Sequence, residues 1–287
     1  MFSKRADGHA LKNLDPFNKA IAYVMARRSD ALVYFTEQID CKYLDEYIAK
    51  RKEEGIELSY LDIIAASMMR VHALRPCLNR FVVNGRIFAR NELTLSIALK
   101  KSLRDDAAET TVKLNFTGHE NIYDTKQMFD KVIRETKDAS GEQNVTDKLA
   151  ARIMNGPPFL IKWLVWICKL LDRWNMMPKA FIDASPFHST VFVTYLKSLG
   201  INSVYHHIYD FGTVSMFIGI GKERLIPVVD DKTGEVRAGK VIELKVVADE
   251  RICDGLYHAR SMRLIKKYLA NPELLEERLE KVEREQI

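Results

Sequence analysis

The sequence predicts a single α/β domain that spans residues 1–287. Segments with strand character and segments with helix character mix along the whole length. No internal repeat is visible, and no proline- or glycine-rich linker divides the chain. Hydrophobic residues make up 47% of the sequence, which is enough to bury a sizeable core and argues against a mainly disordered protein.

The first half of the chain alternates helices with short strands. β-branched and aromatic residues at 31–38 predict a strand. Ser59 starts a helix whose apolar residues recur at helical spacing until Pro76, and Asn84-Gly85 predicts a hairpin turn. The predicted elements are helices at 17–29, 43–54, 59–76 and 124–136, and strands at 31–38, 81–88 (a hairpin), 93–99 and 110–116.

The second half repeats this mixture after a polar stretch at 138–148, which predicts a loop. The segment 214–221 is nearly all apolar and therefore predicts a central strand. The turn from Asp231 to Gly234 predicts a hairpin. The remaining elements are strands at 190–196, 225–229 and 241–248, and helices at 256–269 and 272–285.

One apolar segment, PPFLIKWLVWICKLL at residues 157–171, predicts an amphipathic helix. Lys162 and Lys169 interrupt it, and it is too short to span a bilayer comfortably. We expect it to be buried or to lie at a subunit contact. Adsorption to a membrane surface is the alternative, and Trp163, Trp166 and Trp174 favour it.

Charge and cysteine content exclude several classes of protein. The net charge of +5 is mild, and the basic residues are scattered among acids, so nucleic-acid binding is not expected. No CxxC pair indicates zinc, and the N-terminus lacks the apolar core of a signal peptide. We therefore expect a cytoplasmic protein with reduced thiols. The four cysteines are Cys41, Cys77, Cys168 and Cys253.

The most informative pattern is KVVADERICDG at residues 245–255, followed by the helix LYHARSMRLIKKYLANPELL. It resembles the end of the catalytic domain of the dihydrolipoyl acyltransferases of 2-oxoacid dehydrogenase complexes, and of chloramphenicol acetyltransferase. Those proteins carry a strand, then HxxxDG, then a helix. In this chain Glu250 stands where that family keeps its catalytic histidine.

Two further matches support the resemblance. FNKAIAYVMARRS, ALVYFTEQID and HALRPCLNRFV follow the family's order near the N-terminus, and TVFVTYLKSLG and SMFIGIG resemble two of its strands. The resemblance covers most of residues 17–275 and is looser over 101–180. It implies a mixed β-sheet with covering helices, no lipoyl or subunit-binding domain, and a homotrimer with active sites at the subunit interfaces.

The resemblance also implies a chemistry, which is acyl transfer from acyl-CoA to a thiol, hydroxyl or amine. A base takes the acceptor's proton and a hydroxyl stabilises the oxyanion. By the local matches, the base position falls on Glu250 and the oxyanion hydroxyl on Thr194, with Ser198 and Thr190 as rivals. A solvated glutamate is a weak base for a thiol or alcohol, and burial would strengthen it.

Three other motif residues carry structural roles by the same resemblance. Asp254 orders the loop that presents the base, and Arg251 helps to hold that loop together. Gly255 lets the chain turn into the next helix. A Glu250 that only stabilises the loop is the alternative to a catalytic one.

Histidines offer rival bases. His206 and His207 lie in YHHIYDFG with Asp210 nearby, and a carboxylate can orient an imidazole. Two adjacent histidines on a strand point to opposite faces, so a shared metal ion is not expected. His258 lies one helical turn after Gly255 and is another candidate. Two more histidines have structural interpretations: His72 as a core residue and His188 as a loop residue without an evident partner.

Two functions remain open at this point. The first is an acyltransferase that uses acyl-CoA and passes the acyl group to a small molecule or a carrier. The second is a non-catalytic trimeric relative that acts as a scaffold or ligand-binding protein, which the missing histidine favours. The sequence names neither the acyl group nor the acceptor.

Overall fold

The computed structural model describes residues 4–100, 109–138, 155–230 and 233–285. Its strands are β1 (Lys4–Arg5), β2 (Gly8–Ala10), β3 (Leu32–Asp40), β4 (Arg80–Val83), β5 (Arg86–Arg90), β6 (Leu93–Lys100), β7 (Glu109–Phe116), β8 (Val191–Tyr195), β9 (Met216–Val229) and β10 (Val236–Asp249). Its helices are α1 (Pro16–Val24), α2 (Lys42–Glu53), α3 (Tyr60–Leu74), α4 (Ile122–Asp138), α5 (Pro158–Arg173), α6 (Lys179–Ala184) and α7 (Gly255–Ala270).

A mixed sheet organises the described residues. Its strand order is β3-β10-β9-β8-β6-β7, and β8 runs parallel to both of its neighbours while the other pairs are antiparallel. The short strands β1, β2, β5 and β4 form a second, antiparallel sheet. The expected α/β class with a mixed sheet is therefore confirmed, and the apolar strand β9 is an interior strand as predicted.

Local signals set several element boundaries. Ser59 and Asp62 form a capping box at the start of α3, in which each side chain accepts from the other residue's backbone N–H. Asn84 and Gly85 both have positive φ, at 49° and 70°, as a two-residue hairpin turn between β4 and β5 requires. These are the positions at which the sequence predicted a helix start and a hairpin.

The main core lies on one face of the large sheet, beneath α2, α3, α4 and α7. Apolar side chains that alternate along the strands pack against these helices and are fully buried, as at Leu95, Ile218 and Leu244. The opposite face carries a small cluster formed by Phe192, Ile208, Val214, Phe217 and Val247. This second face is therefore less completely covered by the described residues.

An extended segment, residues 201–209, lies against the second face along β9. It approaches so closely that a Cβ atom placed on Gly219 would lie 2.5 Å from the carbonyl oxygen of Val204. Only glycine fits at such a distance. Tyr205 fixes the segment further, since its hydroxyl lies 2.6 Å from that of Thr36 and Lys245 lies over its ring.

The predicted last helix is wrong. Pro272 opens only a 3-10 turn that ends at Leu275, and residues 276–285 are not helical. Their backbone N–H groups bond elsewhere: Leu279 donates to the carbonyl of His119 and Glu283 to that of Ala73. At these two residues, pairing with the body of the protein takes the place of a helical hydrogen bond.

Other boundaries differ in smaller ways. The predicted strands 214–221 and 225–229 are one continuous strand, β9, and helix α1 stops at Val24. The short strands β1 and β2 and the helix α6 were not predicted. From residue 139 onward the polar stretch 138–148 lies outside the described residues.

Helix α5 confirms the predicted amphipathic helix, but the chain does not bury it. Of its residues only Asp172 is buried, and the tryptophans Trp163 and Trp166 are 58% and 59% exposed. Within the described residues, none of the helices has the length and apolar character needed to cross a bilayer.

Candidate functional site

The turn after β10 is held by a buried carboxylate. Asp249 is fully buried and pairs with Arg251, which donates at 2.6 and 2.7 Å, while Arg28 lies 3.5 Å away on the other side. Arg251 also donates to the carbonyl of Met25, and the backbone N–H of Glu250 donates to that of Ala31. These contacts fix the backbone on both sides of Glu250.

The carboxylate of Glu250 itself has no partner among the described residues. The residue is half-buried, and its side chain makes no hydrogen bond or ion pair with any residue in the described ranges. Its neighbour Asp249, by contrast, has every oxygen occupied. A rigid backbone with an unengaged carboxylate is an arrangement suited to accepting a proton from an incoming group.

Asp254 and Gly255 begin helix α7. Asp254 caps the helix by accepting from the backbone N–H of Tyr257 at 2.7 Å, and its expected role in ordering the loop that presents the base stays a prediction. Gly255 does not play its expected role, since it is an ordinary first helical residue without positive φ. A Cβ atom there would have no described atom within 4 Å. None of the described residues requires a glycine at this position.

Thr194 lies on the second face of the large sheet. Its cross-strand partners are the small residues Ala98 and Gly219, and its half-buried hydroxyl has no hydrogen-bond partner among the described residues. The rival Thr190 is buried and already bonded to Asn79 at 2.7 Å. The rival Ser198 is exposed and donates to the carbonyl of Tyr195.

One chain does not bring Glu250 and Thr194 together. Thr194 pairs with Gly219, which pairs with Lys245, so Thr194 lies two strands from β10 and level with Lys245. Glu250 lies five residues further along β10 and its turn. With about 4.8 Å between strands and about 3.3 Å per residue, the two residues are roughly 19 Å apart.

His206 lies much closer to Thr194. Its ring stacks on that of Phe217, with 4.0 Å between centroids, and Phe217 is two residues before Gly219 on the same face. Its Nδ1 lies 2.9 Å from the carbonyl oxygen of His207. Because a carbonyl oxygen only accepts, Nδ1 carries a proton, and in the neutral ring Nε2 is then the nitrogen with the lone pair that a base needs.

Asp210, which was expected to orient these histidines, does not pair with them. Asp210 accepts from the backbone N–H of Ser29 at 3.1 Å and has no hydrogen bond or ion pair with His206 or His207. His207 is exposed, and its ring stacks on that of His206 at 4.7 Å. A carbonyl group and ring stacking, not a carboxylate, orient His206.

His258 and His72 are core residues between α7 and α3. Burial lowers the pKa of both imidazoles, that of His72 to about 4. Nδ1 of His72 bonds to the carbonyl of Met68, and Nε2 of each ring has no partner among the described atoms. The interpretation of His72 as a core residue is confirmed, and burial makes His258 a poor candidate base.

A buried ion network stands behind the second sheet and was not predicted. Arg5 pairs with Asp7 and with Asp172, each at 2.7 Å. His188 contacts Ser185 through Nδ1 and Asp172 through Nε2, so it is not a loop residue without a partner. Arg5 and Asp172 are 167 residues apart in the chain, and no local motif announces such a pair.

A cleft of 640 Å³ opens beside this network and beside Arg251. Exposed cations border it at Arg27, Lys169 and Arg173, and the buried Asp172 and the exposed Asp210 also line it. These side chains could hold an anionic group such as a phosphate. Among the residues described, no group of three or more His, Cys, Asp or Glu side chains is placed to hold a metal ion.

Comparison with known protein families matches the stretch of the chain that contains the candidate site residues. The family model of the 2-oxoacid dehydrogenases acyltransferase (catalytic domain) matches residues 190–276, which is less than half of the chain. This stretch contains Thr194, His206 and the turn at Glu250. No curated protein sequence matches the chain.

Solved structures resemble the whole chain at low identity. A probable dihydrolipoamide acetyltransferase from Listeria monocytogenes 4b F2365 has a TM-score of 0.58 and 16% identity, over 90% of this chain and 93% of that one. The cubic core of a pyruvate dehydrogenase multienzyme complex has a TM-score of 0.58 and 11% identity, over 93% of this chain and 94% of that one. A chloramphenicol acetyltransferase has a TM-score of 0.57 and 11% identity, over 91% of this chain and 99% of that one. The resemblance inferred from the sequence is confirmed.

Proposed function

We propose that this chain, which has the fold of the 2-oxoacid dehydrogenase acyltransferase catalytic domains and of chloramphenicol acetyltransferase, transfers an acyl group from acyl-CoA to a small-molecule or carrier acceptor. The observation that carries the proposal is the family match over residues 190–276, together with that fold over 90% of the chain. The matched stretch contains both an unengaged hydroxyl and an unengaged carboxylate.

The proposed reaction uses these two groups in turn. Glu250 accepts the proton of the acceptor's thiol, hydroxyl or ammonium-derived amine as the acceptor atom bonds to the thioester carbonyl carbon. The hydroxyl of Thr194 donates to the oxygen that becomes negative. The carbon–sulfur bond then breaks, and the CoA thiolate leaves with the proton that Glu250 returns.

The distance between Glu250 and Thr194 within one chain indicates that the site needs two copies of the chain. About 19 Å is too far for both to contact one thioester within one chain. We therefore propose that the site lies between two copies, with Glu250 from one and Thr194 from the next, in the homotrimer that the resemblance implies. A structural neighbour is itself a multienzyme core, which supports assembly in this fold.

Gly255 supports a ligand at the turn. The residue needs no glycine for φ or for packing in its own chain. A position that is free of such needs, follows Asp254 and lies five residues after Glu250 is where a substrate backbone or a second copy could approach closely. A side chain at this position would then block binding without harming the fold.

His206 is the second candidate for the base. It shares the sheet face of Thr194, and its Nε2 carries the lone pair. Catalysis by His206 would need no contribution from Glu250. The two candidates make different predictions for single substitutions.

Release of free thiol from a panel of acyl-CoAs, with small thiols, alcohols and amines as acceptors, tests the proposal. Glu250→Gln should lower kcat at least about 100-fold if Glu250 is the base, and His206→Asn should do so if His206 is. Thr194→Val should lower kcat by about 10² to 10³ without a matching rise in KM. The exposed Glu53→Gln and Thr111→Val serve as matched controls.

The same assay addresses the non-catalytic alternative, which the glutamate at the motif's first position favours. CoA binding by calorimetry without thiol release from any acyl-CoA would indicate a relative that has lost the chemistry. The absence of both CoA binding and thiol release would contradict the acyltransferase proposal. Analytical ultracentrifugation supplies the oligomeric state, for which three copies are expected.

A further inference from the structure

Helix α5 presents a continuous apolar stripe to solvent. Phe159, Trp163, Trp166 and Leu170 follow one another at steps of four, three and four residues, which places them on one side of a helix. Their exposed fractions are 68%, 58%, 59% and 39%. Trp174, 48% exposed, continues the stripe past the end of the helix.

A row of cations runs beside this stripe. Lys162, Lys169 and Arg173 are all exposed, and each follows a member of the stripe by three residues, which is a rotation of about 60° around the helix. The acidic residue of α5, Asp172, is buried and paired with Arg5. The charges that this helix presents to solvent are therefore all positive.

We infer that α5 binds the surface of an anionic membrane, with its axis in the plane of the interface. Aromatic and aliphatic side chains on one side and lysine or arginine along its border are the two features that hold an amphipathic helix there. Anionic lipid headgroups complement the cationic row. The apolar stripe would reach the boundary of the acyl chains.

The tryptophan distribution supports this occupant. The chain has three tryptophans, and all three lie between residues 163 and 174, about half or more exposed. Indole rings favour the headgroup level, where one edge is apolar and the N–H is hydrated. An exposed apolar surface of this extent on a globular protein marks an interaction site.

A second copy of the chain is less suited to this stripe. Interface cores are depleted of lysine, and a copy of the same helix would bring a second positive row to the contact. The membrane arrangement removes that repulsion, because the neighbouring charges are phosphates. Assembly through α5 is therefore a distinct outcome that the experiment must be able to detect.

Vesicle binding by the full chain tests the inference. Tryptophan emission reports on residues 163–174 alone, since no other tryptophan exists in the chain. With vesicles of one part phosphatidylglycerol to three parts phosphatidylcholine, we expect co-sedimentation and a blue shift of the emission. Pure phosphatidylcholine vesicles, or 0.5 M salt, should weaken binding at least about tenfold.

Two double variants locate the binding surface while keeping every tryptophan. Phe159→Ser with Leu170→Ser shortens the apolar stripe, and Lys162→Glu with Lys169→Glu reverses two of its charges. Each should weaken vesicle binding at least about tenfold. Matched controls change equally exposed residues elsewhere: Leu225→Ser with Val236→Ser, and Lys52→Glu with Lys131→Glu.

Three results would overturn the inference. Failure of the wild-type protein to bind the anionic vesicles is the first. Binding that survives both α5 variants would place the contact elsewhere. An emission shift that appears without lipid as protein concentration rises, with loss of the oligomer in Phe159→Ser/Leu170→Ser, would assign the stripe to contact between copies.

Discussion

Arg251 donates to both carboxylate oxygens of Asp249, from Nε at 2.7 Å and from Nη2 at 2.6 Å. The two residues flank Glu250, so this bidentate pair sets where the Glu250 carboxylate can point. Both side chains are almost wholly buried. A planar guanidinium matches a carboxylate in a way that a lysine cannot, which gives the turn a fixed geometry.

Removal of Arg251 should therefore destabilise the fold. Arg251→Met leaves the buried Asp249 with the backbone N–H of residue 251 and, as a charged partner among the described residues, the more distant Arg28 at 3.5 Å. We expect the free energy of unfolding to fall by about 3 kcal/mol, because breaking a buried pair leaves an uncompensated charge. Urea unfolding followed by circular dichroism measures it. Lys281→Met, at a pair on the surface, is the control and should show no measurable change.

Asp172 should make stability depend on pH in the acid range. Burial alone raises the pKa of its carboxyl group, but the hydrogen bond from His188 and the charge of Arg5 outweigh burial and lower the pKa from 3.8 to about 2. A lowered pKa in the folded state adds stability that is present above pH 4 and is lost as the pH falls towards 2.

Comparison of wild type with Asp172→Asn isolates this effect. The difference in their free energies of unfolding should shrink by about 2 kcal/mol between pH 5 and pH 2. The exposed Asp183→Asn gives the reference difference, which should change little over that range. A constant difference for Asp172→Asn would show that its ion pairs contribute nothing to the acid stability.

His72 should make stability depend on pH in a second range, at higher pH than Asp172. Burial lowers the pKa of its imidazole from 6.5 to about 4. Between these two pH values the imidazole is therefore protonated in the unfolded chain and neutral in the folded one. Stability is full above about pH 6.5 and falls by about 3 kcal/mol as the pH drops to 4. His72→Asn should remove this loss, while the exposed His207→Asn should retain it.

Gly219 and Gly255 should respond differently to alanine. At Gly219 an added methyl would meet the Val204 carbonyl at 2.5 Å, so Gly219→Ala should cost about 1–3 kcal/mol and displace the segment that carries His206. At Gly255 the space is open, so Gly255→Ala should leave stability unchanged or raise it by up to about 1 kcal/mol. Thermal unfolding of both variants checks the contrast.

Gly255→Ala also separates structure from function. If a substrate or a second copy approaches this residue, the variant should fold normally yet release thiol from acyl-CoA at least about tenfold more slowly. Parallel melting curves and thiol-release rates provide the measurement. Normal rates in a stable variant would contradict a ligand at this turn.

Much of the fold followed from local patterns. The alternation of apolar residues predicted β6 and β7, the Asn84-Gly85 pair predicted the hairpin, and Ser59 predicted the start of α3. The family resemblance added the order of the elements and the motif that begins at Glu250. Each of these signals depends on residues that are close together in the chain.

Contacts between distant segments decided the rest. The charged tail at 276–285 has a helical composition, yet the N–H groups of Leu279 and Glu283 bond to the carbonyls of His119 and Ala73. Contacts of the same kind pair Arg5 with Asp172, which is 167 residues away, and bond Ser29 to Asp210, the residue expected to orient His206. None of these outcomes could be read from neighbouring residues.

The sequence by itself determined the α/β class, the positions of most strands and helices, and the resemblance to a family whose motif ends at the position of Gly255. Only the tertiary structure decided that Thr194 and Glu250 lie on separate parts of the sheet, and that the apolar face of α5 meets solvent. The physical reason is the range of the forces. Side-chain periodicity and turn geometry act over a few residues, whereas burial and ion pairing depend on which remote segments come to lie side by side.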